Sequence, residues 1–416
     1  MHYWIWLSLA VTPGSESFKK LITRFETPLG VYNADETEIA ACIGSRSRDF
    51  KALCKKELER ASQIYEFCKS KSVGILTYAD ENFPKSLRDI DNPPALLYYR
   101  GTLPDFNNEC FVSVVGTRKL TDYGRKNAFS IAHDLSRCGI KIVSGMAVGI
   151  DGVATAGALC AGGQTVAFLG CGIDICYPPV HLSLAKEIVK CGVIMTEYAP
   201  GTRPDGFNFP RRNRLISGIS AATVVIEGNL RSGSIITAKC AKLQGRPVYA
   251  LPGNVGVKTS EVTNLLIKDG AKLITDATDI VKDFEYAYLG RVNPFGMSAP
   301  AEISVDEAVK RYSVSCVTPS DDVFRPSRQR SSSPTEKKEK NSSSEERSIP
   351  SARNLDFDFD DVSLKIYKKI PEEGEILIES LADESINMRS VMRTLLKLEM
   401  GRFIVMLPGE KVKRNI

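Results

Sequence analysis

Histidine is nearly absent from this chain. The three among 416 residues, His2, His133 and His181, lack the spacing that a metal site or a histidine-centred catalyst needs. The eleven cysteines, scattered from Cys42 to Cys316 without a Cys-x-x-Cys pair, argue against both a zinc site and a secreted disulfide framework and suit a reducing cytoplasm. The apolar opening His2 to Val11 lacks a basic leader, breaks at Thr12-Pro13-Gly14 and is too short for a membrane span, so it reads as a buried first helix. No Walker lysine follows any glycine turn, and the nearest dinucleotide-type text, Gly170-Cys171-Gly172, lacks its third glycine. Neither a cofactor nor a metal is expected. A net charge of +5 is small for this length, so contact with a polyanion must come from local clusters of Arg and Lys.

What is present falls into four stretches. Residues 1–70 carry apolar positions at helical spacing, as in Phe18, Leu21, Ile22 and Phe25, and form a small helical domain. Residues 74–288 switch to short apolar runs that end in glycine turns and alternate with amphipathic stretches, the pattern of repeated βαβ units. The expected strands are Phe111–Val115, Ile140–Val143, Val166–Leu169, Gly192–Met195, Ala222–Glu227 and Val248–Leu251. If they are parallel, their glycine turns line one edge of the sheet, where open α/β folds place a ligand crevice. Residues 318–355 are rich in Ser, Pro and charge and read as a disordered linker. In residues 360–414, expected helices Val362–Ile370, Glu375–Asp383 and Asn387–Leu398 precede a β-hairpin, which suggests a winged helix. Its third helix carries Arg389, Arg393 and Lys397 along one face.

The chemistry gathers at the turns. Phe207-Asn208-Phe209-Pro210-Arg211-Arg212-Asn213-Arg214 reads as a loop dense in planar cations, suited to holding anions, with Phe207 and Phe209 available to stack unpaired bases. Phe209, which adjoins Pro210 and Arg211, is the favoured ring. Gly116-Thr117-Arg118 and Ser232-Gly233-Ser234 each open a helix after a strand, so their amides offer anion cradles. Asp151, Asp174, Glu197 and Glu227 stand near strand ends without a convincing catalytic partner, and Glu227 is placed to orient neighbouring arginines.

Taken together, Gly116-Thr117-Arg118, Ser144 to Asp151, Phe209 to Gly218 and Ser232 to Ser234 resemble the bacterial DNA-processing protein family DprA, also called Smf. The leader segments Asn82 to Leu87 and Pro93 to Gly101 are similar too. The resemblance implies an extended Rossmann-like, mostly parallel sheet with helices on both faces, flanked by a SAM-like helical domain and a winged helix. It implies a non-enzymatic, cytoplasmic protein that binds single-stranded DNA, dimerises and helps load the recombinase RecA during natural transformation. Carried over by motif, Arg118, Arg211, Arg212 and Arg214 would bind the DNA backbone, Gly145, Ser232, Gly233 and Ser234 would complete the pocket, and Phe209 would stack a base. The chain departs from the family pattern at Thr155, where histidine is usual, and at Val262, where glycine is usual. A phosphoribohydrolase-like nucleotide enzyme is the alternative, but such enzymes carry Pro-Gly-Gly-x-Gly-Thr where this chain has Arg231 to Ile236.

Overall fold

The computed structural model describes residues 1–298, 303–316, 361–372, 374–383, 386–400, 403–407 and 411–414. The expected linker at 318–355 lies outside the described residues.

Six helices from His2–Ala10 to Glu59–Ser70 open the chain. Ile5, Leu7, Phe18, Leu21, Val31, Ile39 and Leu53 are buried together between them. The turn after the first helix is pinned by buried Asp49, whose carboxylate accepts from Thr12 N and Oγ1 at 2.9 and 2.6 Å and from Ser15 Oγ at 2.9 Å. This holds Gly14, at φ +82°, against the central domain, where Asn92 donates to its carbonyl at 3.0 Å.

The central sheet has nine strands: β1 (Gly74–Thr77), β2 (Leu96–Gly101), β3 (Phe111–Val115), β4 (Lys141–Ser144), β5 (Thr165–Phe168), β6 (Val193–Thr196), β7 (Ala222–Val225), β8 (Val248–Ala250) and β9 (Lys272–Leu273). Their order is β1-β2-β6-β5-β4-β3-β7-β8-β9. β1 and β2 pair antiparallel at one edge, and every pairing from β6 to β9 is parallel. Helices cover both faces, which is why the inner strands are continuous apolar runs rather than alternating ones. Ala128, Ile131 and Leu135 of helix Asp122–Arg137, with Val153 of helix Ile150–Cys160, pack into one core. Leu215 and Ile216 of helix Asn208–Ile219, with Ala238 and Ala241 of helix Gly233–Leu243, pack into the other. This is an α/β Rossmann-like fold. Adjacent β3 and β7 send the chain in opposite directions, to β4 and to β8, so the carboxyl-end crevice opens between them.

Two expected elements differ. The segment read as an arginine loop is the first half of helix Asn208–Ile219. Proline breaks a helix interior but sits in a first turn without losing a hydrogen bond, so Pro210 marks a start rather than an interruption. In the C-terminal segment, Glu375–Asp383 is not an α-helix: a short strand, Ile376–Leu377, runs into a 3-10 turn, Ile378–Leu381. Helices Asp361–Lys369 and Met388–Met400 and a three-stranded antiparallel sheet complete that module around Ile366, Leu381, Val391, Leu395 and Val412. It touches the central domain through Lys239 and Glu399, 2.6 Å apart, and through Arg393, which lies 3.3 Å from Asp91 and also reaches Glu16 of the N-terminal segment at 3.0 Å.

Candidate nucleic-acid interface

The floor of the crevice is set by the turn after β3. Thr117 N donates to Glu227 O at 2.8 Å and Ile150 N donates to Thr117 O at 3.2 Å, so the turn is tied to the segment after β7 and to the start of helix Ile150–Cys160 while Arg118 stays exposed. Glu227 does not orient the arginines. Its buried carboxylate accepts from Thr121 N at 3.0 Å and Thr121 Oγ1 at 2.5 Å, fixing the residue that caps helix Asp122–Arg137.

Helix Asn208–Ile219 turns about 100° per residue, so its three arginines cannot share one face. Arg212 points under the crevice. Only 4% exposed, its Nη1 donates to Gly145 O at 3.1 Å and to Phe168 O. The Asp151 carboxylate accepts from Gly145 N at 3.1 Å and lies beside the same guanidinium. Burial raises the Asp151 carboxyl, with Arg212 opposing, and burial pulls the Arg212 guanidinium down to about 10 with Asp151 opposing, which leaves it a cation at neutral pH. A Cβ on Gly145 would lie 2.6 Å from Arg212 Nη2 and 2.7 Å from Asp151 Oδ2, so the close approach requires glycine.

Phe209 joins the two sides. Its ring has the Arg118 guanidinium 5.7 Å and the Arg212 guanidinium 6.0 Å from its centre, and Tyr177 packs against it at 5.3 Å. A Cβ on Gly170 would meet this ring at 2.8 Å. The expected stacking ring is therefore half-buried and already engaged by protein groups. Across the crevice, Ser232 caps helix Gly233–Leu243 by accepting from Ser234 N at 3.3 Å, and the two hydroxyls lie 2.8 Å apart. Asn213 spans the gap: its Nδ2 donates to Gly233 O at 3.3 Å, and its Oδ1 accepts from Arg212 Nε at 3.3 Å.

Arg118, Gly145, Phe209 and Arg212 thus form one contact group, and Asn213 links it to Ser232, Gly233 and Ser234. Arg214 stands apart. It is 4% exposed, and its Nη2 donates to the buried Glu197 carboxylate at 2.5 Å. Burial raises the Glu197 carboxyl, with Arg214 opposing. Half-buried Arg211 shares that side: both arginines lie beside the Gly14 turn of the N-terminal helices. Expected as a backbone contact, Arg214 instead holds Glu197 under the helix, because its position on the turn aims it away from Arg212.

Asn213 and Tyr177 were not among the expected site residues. Asn213 sits inside the arginine run, and only the helical reading of that run assigns it a direction; Tyr177 comes from a distant turn with no pattern of its own. The two departures from the family pattern are both buried: Thr155 Oγ1 donates to Asp151 O at 2.8 Å, and Val262 N donates to Gly228 O at 3.0 Å.

A family model described as DNA recombination-mediator protein A matches residues 74–285. The chain belongs to that family. It is 38% identical over 230 residues to the DNA processing protein DprA of Streptococcus pneumoniae, covering 55% of this chain and 80% of that protein. It is 34% identical over 283 residues to the protein Smf of Synechocystis, covering 67% and 71%. The X-ray structure of the Streptococcus pneumoniae DprA superposes with a TM-score of 0.60 at 32% identity, covering 68% of this chain and 98% of that one. The matched residues of the DprA/Smf family model include the whole contact group around Phe209. Among the described residues, no cluster of three His, Cys, Asp or Glu side chains is placed to hold a metal ion, and no helix is long and apolar enough to cross a membrane.

Proposed function

We propose that the crevice between β3 and β7 binds single-stranded DNA without cleaving it, and that the protein serves a dimeric, cytoplasmic role in delivering such strands to the recombinase RecA during natural transformation. The observation that carries this reading is the convergence of Arg118, Arg212 and Phe209 with the amide-lined turn at Ser232 to Ser234. Exposed Arg118 supplies a cation for a phosphate in the crevice, and half-buried Arg211, on the side of the N-terminal helices, is left to a phosphate beyond it. Buried Arg212 adds positive potential from below and lies against Phe209, while Arg214 pairs with buried Glu197 beneath the helix.

The side chains support binding rather than turnover. The four candidate carboxylates have structural partners: Asp151 holds Gly145, Asp174 accepts from Gly201 N at 2.9 Å, Glu197 pairs with Arg214, and Glu227 fixes Thr121. His181 has both ring nitrogens engaged, with Met146 O and with Ser315 N. We further assign residues 1–70 to a SAM-like domain, 74–288 to the DNA-binding core and 360–414 to a winged helix.

A salt series on a short oligothymidylate tests the reading. If about four phosphates are neutralised, the log-log slope is about −3 for a single strand, and Arg118→Ala flattens it by about 0.7. A slope shared by wild type and variant removes the crevice as the binding site. Delivery to the recombinase is checked by following RecA filament growth on single strands with and without the protein.

A further inference from the structure

The two phenylalanines flanking Asn208 lie in opposite situations. Phe209 is wedged between Tyr177 and two guanidinium groups, over a glycine that leaves its ring room. Phe207, at the residue that precedes the same helix, is 55% exposed. Its place is built: Phe207 N donates to Asp205 Oδ1 at 2.8 Å and Asn208 N donates to Asp205 O at 3.0 Å, a side-chain-closed turn that holds the residue at the tip. The turn keeps this ring at the surface, where it is available to a ligand.

The surroundings indicate which ligand. On the loop after β7 a second turn of the same kind, closed by Asn229 Oδ1 accepting from Arg231 N at 2.9 Å, carries Leu230 at 45% exposure. Exposed Arg203 and Arg231 flank the two tips in sequence, and exposed Arg118 lies on the turn between β3 and its helix. Apolar tips on the carboxyl-end loops of the sheet that also carry exposed arginines match a strand whose charged backbone and apolar bases are presented separately. They do not match a duplex, whose bases are stacked inside.

We propose that Phe207 is a base-stacking platform for an unpaired nucleotide, with Leu230 as a second apolar contact. This rests on the single-strand reading above. Stacking is an uncharged interaction, so it separates cleanly from the phosphate contacts: removing the ring lowers affinity without changing the salt slope, and removing an arginine changes the slope.

The test uses the full chain and an oligothymidylate carrying one fluorescent purine analogue, whose emission is quenched by stacking. Phe207→Ala is expected to bind about tenfold more weakly, to lose the quench and to keep the wild-type slope, while Phe207→Tyr restores all three to wild-type values. Wild-type affinity and quench in Phe207→Ala overturn the platform and leave single-strand binding standing. Weaker binding with the quench intact also overturns it, since the ring then acts through something other than the base. A wild-type protein that fails to bind the oligonucleotide at all overturns both readings together. Because the side chain is on the surface, thermal unfolding of Phe207→Ala should match wild type, and that control identifies any loss that comes from misfolding.

Discussion

Helix Asn208–Ile219 divides the central domain into two arginine environments that differ by less than one turn of helix. On the crevice side, Arg212 is held by carbonyls and faces Asp151 and Phe209. On the side of the N-terminal helices, Arg214 is closed in with Glu197 beneath the Gly14 turn, and Arg214 Nε, Arg214 Nη1 and Glu197 Oε1 lack partners among the described residues. Both cations are almost fully buried, yet only the first lies against exposed cationic surface. Residue type and burial alone do not mark a ligand contact; what the guanidinium faces does.

Removing either partner of the Arg214 pair tests this contrast most severely. Arg214→Ala strands the Glu197 carboxylate in a dry site and is expected to cost about 3 to 5 kcal/mol in denaturant unfolding, while the folded fraction keeps the wild-type salt slope. A changed slope would place Arg214 in the binding surface and collapse the distinction. Gly145→Ala probes the other side. Its Cβ has no room between Arg212 and Asp151, so a stability loss of about 1 to 3 kcal/mol should come with weakened single-strand affinity, because the displaced group is the one beneath Phe209.

The smallest effect concerns His181, at the far side of the crevice loop. Buried and neutral, it accepts from Ser315 N at 2.9 Å, while Nδ1 lies 3.0 Å from Met146 O. Burial pushes its pKa below the usual 6.5. The folded state therefore binds a proton less readily than the unfolded chain, so this contribution to stability is complete above about pH 6.5 and declines as the pH falls from there toward the lowered folded value. Unfolding of wild type and His181→Gln across that window should show a shallower pH dependence in the variant. Parallel curves would mean that the imidazole is not the group that titrates.

The strands were legible because a buried parallel sheet leaves a direct trace, an apolar run closed by glycine: the expected Phe111–Val115 and the observed β3 coincide. The arginine segment was misread because Asn208, Phe209 and Pro210 look like loop residues, although the first helical turn tolerates all three. The middle C-terminal segment was misread for a related reason. Ile376, Leu377, Ile378 and Leu381 fit a short helix as well as a strand entering a 3-10 turn, and strand pairing with Val412 and Lys411 settles the choice.

By itself, the order of residues determined that this chain builds an α/β sheet with glycine turns along one edge and a concentration of arginine beside them, since those features follow from local periodicity and composition. Which arginine meets Asp151 and which meets Glu197, that Phe209 is wedged while Phe207 stands in water, and that Asn213 bridges the crevice were decided only by tertiary structure. The reason is geometric: a helix spreads neighbouring side chains around its axis, and the environment each one enters belongs to strands and turns far away in the chain.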